Sequence, residues 1–410
     1  MPAGRTILTD RSRYSLGLGE CQMARYYSYN ALDKGLRKVG SSTPLTTGTL
    51  IHECLAKILV EVKDKGSIPS EDFVRQVIAE SKVSHKQLIG DGGYYGIDVG
   101  EESNLLQEQD NLVEGLTWGW HLHVLSAITS EFDVVSVEQE ELYEVPDGPY
   151  NVIQMSRPDF VLRSKATKKL VLGDFKSTAA LNEEWVREWA SSIQMAVGTL
   201  GVEARLKEPV EQFYIHALVK GSRKSEYNAS IKDYDGPRRQ QSVFCYGYAQ
   251  EGNMPFLEAS WRPTWKYVDA AGANRTLGRG WEKVSTHLYP GGVEAWVKSL
   301  PKDLLMKQFA IIGPYQRQDH QIKQYVRSMV AEEVRNQSKL DCLPVGLPWE
   351  SEEFQGQLDK AFPRSYNCFK YGSRCQFYEL CFRHPGWDKP LENGYIVREA
   401  NHELEKGQVS

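Results

Sequence analysis

The chain has 410 residues, enough for one large or two ordinary domains with an ample core. Hydrophobic residues make up 41% and charged residues 25%, the balance of a soluble globular protein, and no apolar run reaches the roughly 18–20 residues of a membrane span. A net charge of −5 excludes a chain that is basic throughout, so any contact with phosphates must come from a local patch.

The N-terminal Met1-Pro2-Ala3-Gly4-Arg5 lacks the charged-then-apolar pattern of a signal peptide, and a cytoplasmic location is expected. Seven cysteines in such a chain do not suggest a disulfide framework. Along the chain, Leu50, Ile51, Cys54, Leu55, Ile58, Leu59 and Val62 keep the rhythm of a helix over 48–63. Residues 104–128, rich in Leu and Trp, predict a second helix. Strands follow at 133–145, 151–163 and 169–176, then a helix at 183–204 and strands at 211–219 and 243–249. Residues 252–300 are rich in Gly, Pro and Trp and read as an insertion or irregular region. A polar helix over 315–338, a three-cysteine segment and a loosely held tail from Glu392 complete the chain. This order describes an α/β fold, a mixed central β-sheet flanked by helices.

The chemistry concentrates in two strands joined by Ser164-Lys165-Ala166-Thr167-Lys168. With the turn centred between Ala166 and Thr167, Asp159 lies opposite Asp174 and Val161 opposite Leu172. Cross-strand Cβ atoms are about 4.5–5.5 Å apart, close enough for two carboxylates to share one divalent ion. Lys176 points to the same face as Asp174, because strand side chains alternate. Two acids so close call for a cation or a proton, and hard oxygen ligands favour Mg²⁺ or Mn²⁺. Such an ion polarises a phosphate and lowers the pKa of bound water, while Lys176 orients the water or offsets developing charge.

These residues resemble the PD-(D/E)XK nuclease superfamily, specifically its RecB-like branch, with Asp159 as the first acid and Asp174-x-Lys176 as the acid-x-lysine triplet. The resemblance implies a restriction-endonuclease-like core. Gly48-Thr49-Leu50-Ile51-His52 fits the Gly-x-x-x-His context of the branch, implying that His52 is a third metal ligand beside Asp159 and Asp174. Gln194 matches a glutamine that helps bind DNA or position the lysine, although the tyrosine expected four residues later is Gly198. Glu138 and Glu140 precede the hairpin and read as exposed strand residues that could add a carboxylate.

Cys21 near the start, with Cys368, Cys375 and Cys381 near the finish, is similar to the arrangement of iron–sulfur members of this branch, such as the AddB nuclease domain and CRISPR-associated exonucleases. The resemblance implies a [4Fe–4S] cluster tying the terminal regions together, with a Cys₄ zinc site as the alternative. Cys54 and Cys245 read as core residues, Cys342 as a spare, and His121 and His123 face different directions on a helix. The resemblance divides the chain into an N-terminal segment 1–47, a nuclease core 48–220, an insertion or accessory region 221–314, a helix and cluster segment 315–391 and a tail 392–410.

The implied activity is metal-dependent hydrolysis of DNA, by an exonuclease on single strands or strand ends, in recombination, repair or CRISPR adaptation. Any helicase or recombination partner is a separate protein, since no Gly-x-x-x-x-Gly-Lys-Ser/Thr motif is present. A structure-specific endonuclease and a non-catalytic DNA-binding module are the alternatives. Candidate phosphate contacts are Lys165/Lys168/Lys169, Lys220/Arg223/Lys224, Arg238/Arg239 and Arg275/Arg279. Tyr26, Tyr27, Trp261 and Trp265 are candidate base-stacking residues, with core packing the stronger reading for most.

Overall fold

A five-stranded mixed sheet organises the structure, a computed structural model that describes residues 5–40, 43–89, 99–178, 181–220, 260–268, 274–285, 292–299, 302–365, 368–370 and 373–408. The chain opens with β1 (Arg5–Thr9), α1 (Arg11–Ser15), α2 (Gln22–Tyr29) and β2 (Leu36–Lys38). Asp10 caps α1 by accepting the backbone N–H of Arg13 at 2.9 Å. Three long helices follow: α3 (Thr43–Lys65), α4 (Glu71–Ile89) and α5 (Val99–His123). Leu50, Ile51, Leu55, Ile58 and Leu59 of α3 are fully buried, each burial favouring the fold by about 1.5–3 kcal/mol. The helix expected over 104–128 is two, since α5 stops at His123 and α6 (Leu125–Glu131) begins beyond Val124.

The strands are β3 (Phe132–Val137), β4 (Glu141–Asp147), β5 (Tyr150–Ser156), β6 (Phe160–Ser164) and β7 (Leu170–Thr178). Two expected strands are therefore each cut in two. The first breaks at Glu138, whose φ of 47° is left-handed and leaves the ladder. The second breaks at Arg157-Pro158-Asp159, where proline has no N–H to donate to a neighbour. The pieces go to different sheets. β5 lies between β1 and β4 in a three-stranded sheet, whereas β3 and β6 join β7 in the main one.

Beyond β7 come α7 (Glu183–Glu188), α8 (Ile193–Leu206) and β8 (Val210–Val219). The helix expected over 183–204 is interrupted at Ser192, which is extended (ψ 125°) and caps α8 through its hydroxyl. Farther on are β9 (Ser260–Val268), β10 (Asn274–Ser285), α9 (Gly292–Ser299), α10 (Lys302–Leu305), β11 (Phe309–Gln316), α11 (Asp319–Asp341) and α12 (Glu352–Ala361). β9 and β10 form an antiparallel pair within the stretch expected to be irregular, and the strand expected at 243–249 lies outside the described residues. β11 was not expected because Gly313-Pro314 interrupts its pattern. It is an edge strand whose register shifts between Ile312 and Tyr315, the setting in which a sheet tolerates proline.

The main sheet runs β11-β8-β7-β6-β3, with β7 and β8 parallel and the other pairs antiparallel. One face buries Phe160, Leu162, Val171 and Phe175 against α3 and α5, through Leu50, Trp118 and Trp120. The other face carries Val161, Leu172, Phe213 and Ile215 beneath α8. A mixed sheet flanked by helices is thus the architecture expected. Among the described residues no helix is long and apolar enough to cross a membrane.

The end of the chain departs from expectation. After β12 (Phe369–Lys370), β13 (Ser373–Arg374) and α13 (Tyr378–Cys381) come β14 (Tyr395–Val397) and α14 (Glu403–Gln408). β14 pairs with β2, and Glu405 is buried in ion pairs with Arg13 and Arg398. The tail from Glu392 is therefore held by strand pairing and buried charge, which its polar composition concealed.

Candidate active site

The hairpin has the register read from the sequence: Phe160 faces Gly173 and Val161 faces Leu172. Asp159 stands one residue before β6, and Asp174 lies within β7. Gly173 makes this approach possible, because a Cβ there would sit 1.9 Å from the Phe160 ring. Asp159 Oδ2 accepts the backbone N–H of Phe175 at 2.6 Å. Both aspartates are buried.

Three further side chains join them, Lys176 from β7 itself and two from helices. His52 on α3 places Nδ1 3.5 Å from Asp159 Oδ2. A Cβ on Gly48, one helical turn earlier, would meet Ser177 Oγ at 3.0 Å, so glycine lets α3 lie close to β7. The Lys176 ammonium is ion-paired with Asp174 and lies 5.3 Å from the centre of the Trp189 ring. From the start of α8, Gln194 Nε2 donates to Asp174 Oδ1 at 2.7 Å. The fold brings together all five residues singled out in the sequence: His52, Asp159, Asp174, Lys176 and Gln194. Gly198 also has a packing reason, since a Cβ there would lie 2.8 Å from Leu172 Cδ2.

Electrostatics reflect crowding of acids out of water. Burial raises the pKa of Asp159, and burial together with the Asp159 charge raises Asp174 to about 6 against the opposing pull of Lys176. Burial and the neighbouring Lys176 charge lower His52 to about 4, leaving a neutral imidazole with a nitrogen available to a ligand. Glu138 joins this group. Its backbone N–H donates to the Asp159 carbonyl at 3.0 Å, and burial plus the Asp159 charge raise its carboxyl to about 7. It is exposed, as expected, but it lies in the turn just beyond β3 rather than in a strand, and its carboxyl still feels the Asp159 and Asp174 charges.

Two hollows open beside the acids. One, of about 300 Å³, is lined by Arg11, Asp174, Gln194, Asn401 and His402 among others. The second, of about 750 Å³, is lined by His52 together with residues of α3 and α4. Glu138 and Arg157 line both, so the hollows meet at these two side chains. Sequence reasoning gave no role to Arg11, Arg157, Asn401 or His402. Glu140 turns away from the aspartates and binds His402 Nδ1 at 2.8 Å.

The cysteines converge as well. Cys21 precedes α2 and its sulfur accepts the backbone N–H of Ser365 at 3.5 Å; Cys375 donates its N–H to the Cys368 carbonyl at 2.8 Å. Cys21, Cys375 and Cys381 pack against one apolar cluster containing Met23, Tyr27, Phe362 and Phe377. Burial and the neighbouring Cys375 thiolate push the Cys381 thiol up to about 12. Among the described residues, no three His, Cys, Asp or Glu side chains are arranged to hold a metal ion as they stand. Cys54 is buried within α3, Cys342 is exposed, and Cys245 lies outside the described residues. His121 Nε2 is occupied by the Pro69 carbonyl at 3.0 Å.

Of the expected basic clusters, Lys220 is close enough to the site for its charge to act on His52. Lys165 and Lys169 sit at the far end of the hairpin and pair with Asp133 and Glu211. Arg223, Lys224, Arg238 and Arg239, and the side chains of Arg275, Arg279, Trp261 and Trp265, lie outside the described residues. Tyr26 and Tyr27 are core residues, packed on Phe362, Trp349 and Phe377, and are not available for stacking on bases.

The sequence profile of the PD-(D/E)XK nuclease superfamily matches residues 18–381, a span that takes in the hairpin, His52, Gln194 and all four of these cysteines. No curated protein matches the chain significantly. Members of the superfamily are generally nucleases, which hydrolyse phosphodiester bonds, and usually use Mg²⁺ or Mn²⁺. With that match across most of its length, the chain belongs to the PD-(D/E)XK nuclease superfamily.

Proposed function

We propose that this protein is a metal-dependent deoxyribonuclease of the RecB-like branch, acting as an exonuclease on single-stranded DNA or DNA ends. The observation that carries the reading is the gathering of Asp159, Asp174 and Lys176 at one end of the hairpin, with His52 and Gln194 supplied by separate helices. His52, Asp159 and Asp174 are the residues that would hold Mg²⁺ or Mn²⁺. The donor set suits a hard cation: burial makes both carboxylates costly to ionise, the Asp159 charge adds to that cost at Asp174, and the imidazole is neutral. When bound, the ion supplies Lewis-acid polarisation of the phosphate and a more acidic water.

The chain's own side chains do the remaining work. Lys176 holds a positive charge against Asp174 and offsets charge developing on the phosphate oxygens. Gln194 fixes the Asp174 carboxylate through its amide. Cys21, Cys368, Cys375 and Cys381 would hold a [4Fe–4S] cluster. Cys21, Cys375 and Cys381 pack on one apolar cluster and Cys375 bonds the Cys368 carbonyl, which supports a shared site whose ligation would tie the N-terminal helices to the late segment. DNA is the substrate partner, in recombination, repair or CRISPR adaptation alongside a separate helicase or recombination protein.

The test is digestion of single-stranded DNA, labelled at one end, in Mn²⁺ or Mg²⁺ and in chelator, with circular single-stranded DNA in parallel. Metal-dependent loss of linear strands with circles left intact is expected. Cleavage of circles would replace the exonuclease reading with an endonuclease one, and no cleavage of either would overturn the catalytic reading.

A further inference from the structure

The site has an acidic interior in a chain of net charge −5, yet its proposed substrate is a polyanion. Counter-charge must be supplied locally, and phosphate contacts account for most of non-specific affinity for nucleic acid. Among the described residues lining the hollow beside Asp174, two carry a guanidinium: Arg11 and Arg157. Both are exposed.

Their bonding sets them apart from cations elsewhere on the sheet and its helices. Arg163, Lys169, Arg205 and Arg317 each pair closely with a carboxylate, so their charge is already matched. Arg11 has no carboxylate partner among the described residues; its guanidinium donates to Gln194 Oε1, a neutral amide. Arg157 donates to the Asn401 carbonyl at 3.3 Å and approaches Glu138 only at 3.6 Å. Neither arrangement uses up the planar donor fork that matches a phosphate.

Position completes the argument. Arg11 is linked to Asp174 through the single amide of Gln194. Arg157 lies two residues before Asp159, at the meeting of the two hollows. Each guanidinium is therefore coupled to one of the two buried acids.

We propose that Arg11 and Arg157 form a phosphate-binding clamp that seats the backbone of a DNA single strand beside Asp174. The proposal rests on the reading of the site as a DNA nuclease. Arg11 has a second duty. Because its guanidinium occupies Gln194 Oε1, the amide must present Nε2 to Asp174, so the clamp and the acid share one hydrogen-bonded chain.

The experiment is fluorescence anisotropy of a labelled single-stranded oligonucleotide titrated with the full-length Lys176→Ala protein, in Mg²⁺ and across a range of salt. Arg11→Gln and Arg157→Gln, each in that background, are expected to weaken binding several-fold. Each should reduce the slope of log affinity against log salt by about 0.7, the value for one lost phosphate contact on a single strand. Arg11→Lys, which keeps the charge, should retain the slope. Arg187→Gln, an exposed arginine on α7 paired with Glu183, should change nothing. Unchanged slopes in both clamp variants would overturn the clamp while leaving the nuclease reading intact. Absence of binding by the Lys176→Ala parent would overturn both.

Discussion

Asp159 accepts the backbone N–H of Phe175, the residue next to Asp174, so the first acid is anchored to the strand that carries the second. The two carboxylates therefore cannot drift apart without breaking a buried hydrogen bond. Proximity is imposed by the backbone, while each charge resists it. Such a site is destabilised when empty of cations and is held in place by the sheet around it.

Asp174→Asn should separate activity from folding. Loss of the carboxylate removes a proposed metal ligand, and cleavage in Mn²⁺ is expected to fall at least about 10²-fold. Lys176→Ala should show a similar loss. In chelator, Asp174→Asn should melt at or above the wild-type temperature, because one of two crowded buried charges is gone. Paired calorimetry and single-turnover cleavage measure both effects; a cooperative fold with undiminished cleavage would contradict the assigned role.

Metal-free protein should be more stable at mildly acidic pH than at neutral pH. The folded pKa of Asp174, about 6, exceeds its unfolded value near 4, so the native state binds the proton more tightly. Stability is then lost as pH rises from about 4 to about 6, by an amount on the order of 3 kcal/mol. Glu138, raised to about 7, extends the loss toward neutrality. Urea midpoints in chelator at pH 5 and pH 7 measure this, and saturating Mn²⁺ should reduce the difference.

Gly173→Ala should damage the hairpin itself. The added methyl falls within the Phe160 ring, and the displacement should cost at least about 1–3 kcal/mol. A smaller side chain at 160 makes room, so Gly173→Ala with Phe160→Leu should recover part of the loss. Equilibrium denaturation of the two variants, with Phe160→Leu alone as reference, provides the comparison.

Cys375→Ala should lower iron content and thermal stability together. Losing one of four proposed thiolate ligands is expected to reduce bound iron per chain several-fold and the melting temperature by at least about 5 °C. Cys342→Ala, at an exposed thiol, should do neither. Elemental analysis of anaerobically purified protein also distinguishes iron from zinc.

What could be read from the sequence follows the range of each interaction. The hairpin register depends on alternation and one short turn, so the pairing of Val161 with Leu172 was legible within twenty residues. His52 and Gln194 were reached through a resemblance in short motifs. Glu138 was rightly read as exposed but wrongly placed in a strand, because its left-handed backbone ends β3 and nothing in Val-Glu-Gln-Glu announces that turn. Arg11 and His402 were illegible for a different reason. They reach the same hollow from opposite regions of the chain, placed there by β2–β14 pairing and by Glu405 bridging Arg13 and Arg398.

That last arrangement bears on biosynthesis. A chain emerging from the ribosome can form the hairpin early, but the wall containing Asn401 and His402 cannot be added before those residues have been made. Neither can Glu405 lock Arg13 in place. A polypeptide grown only as far as α13 would therefore carry its acids without their full enclosure, and the pocket would mature only after residues 401–405 had emerged.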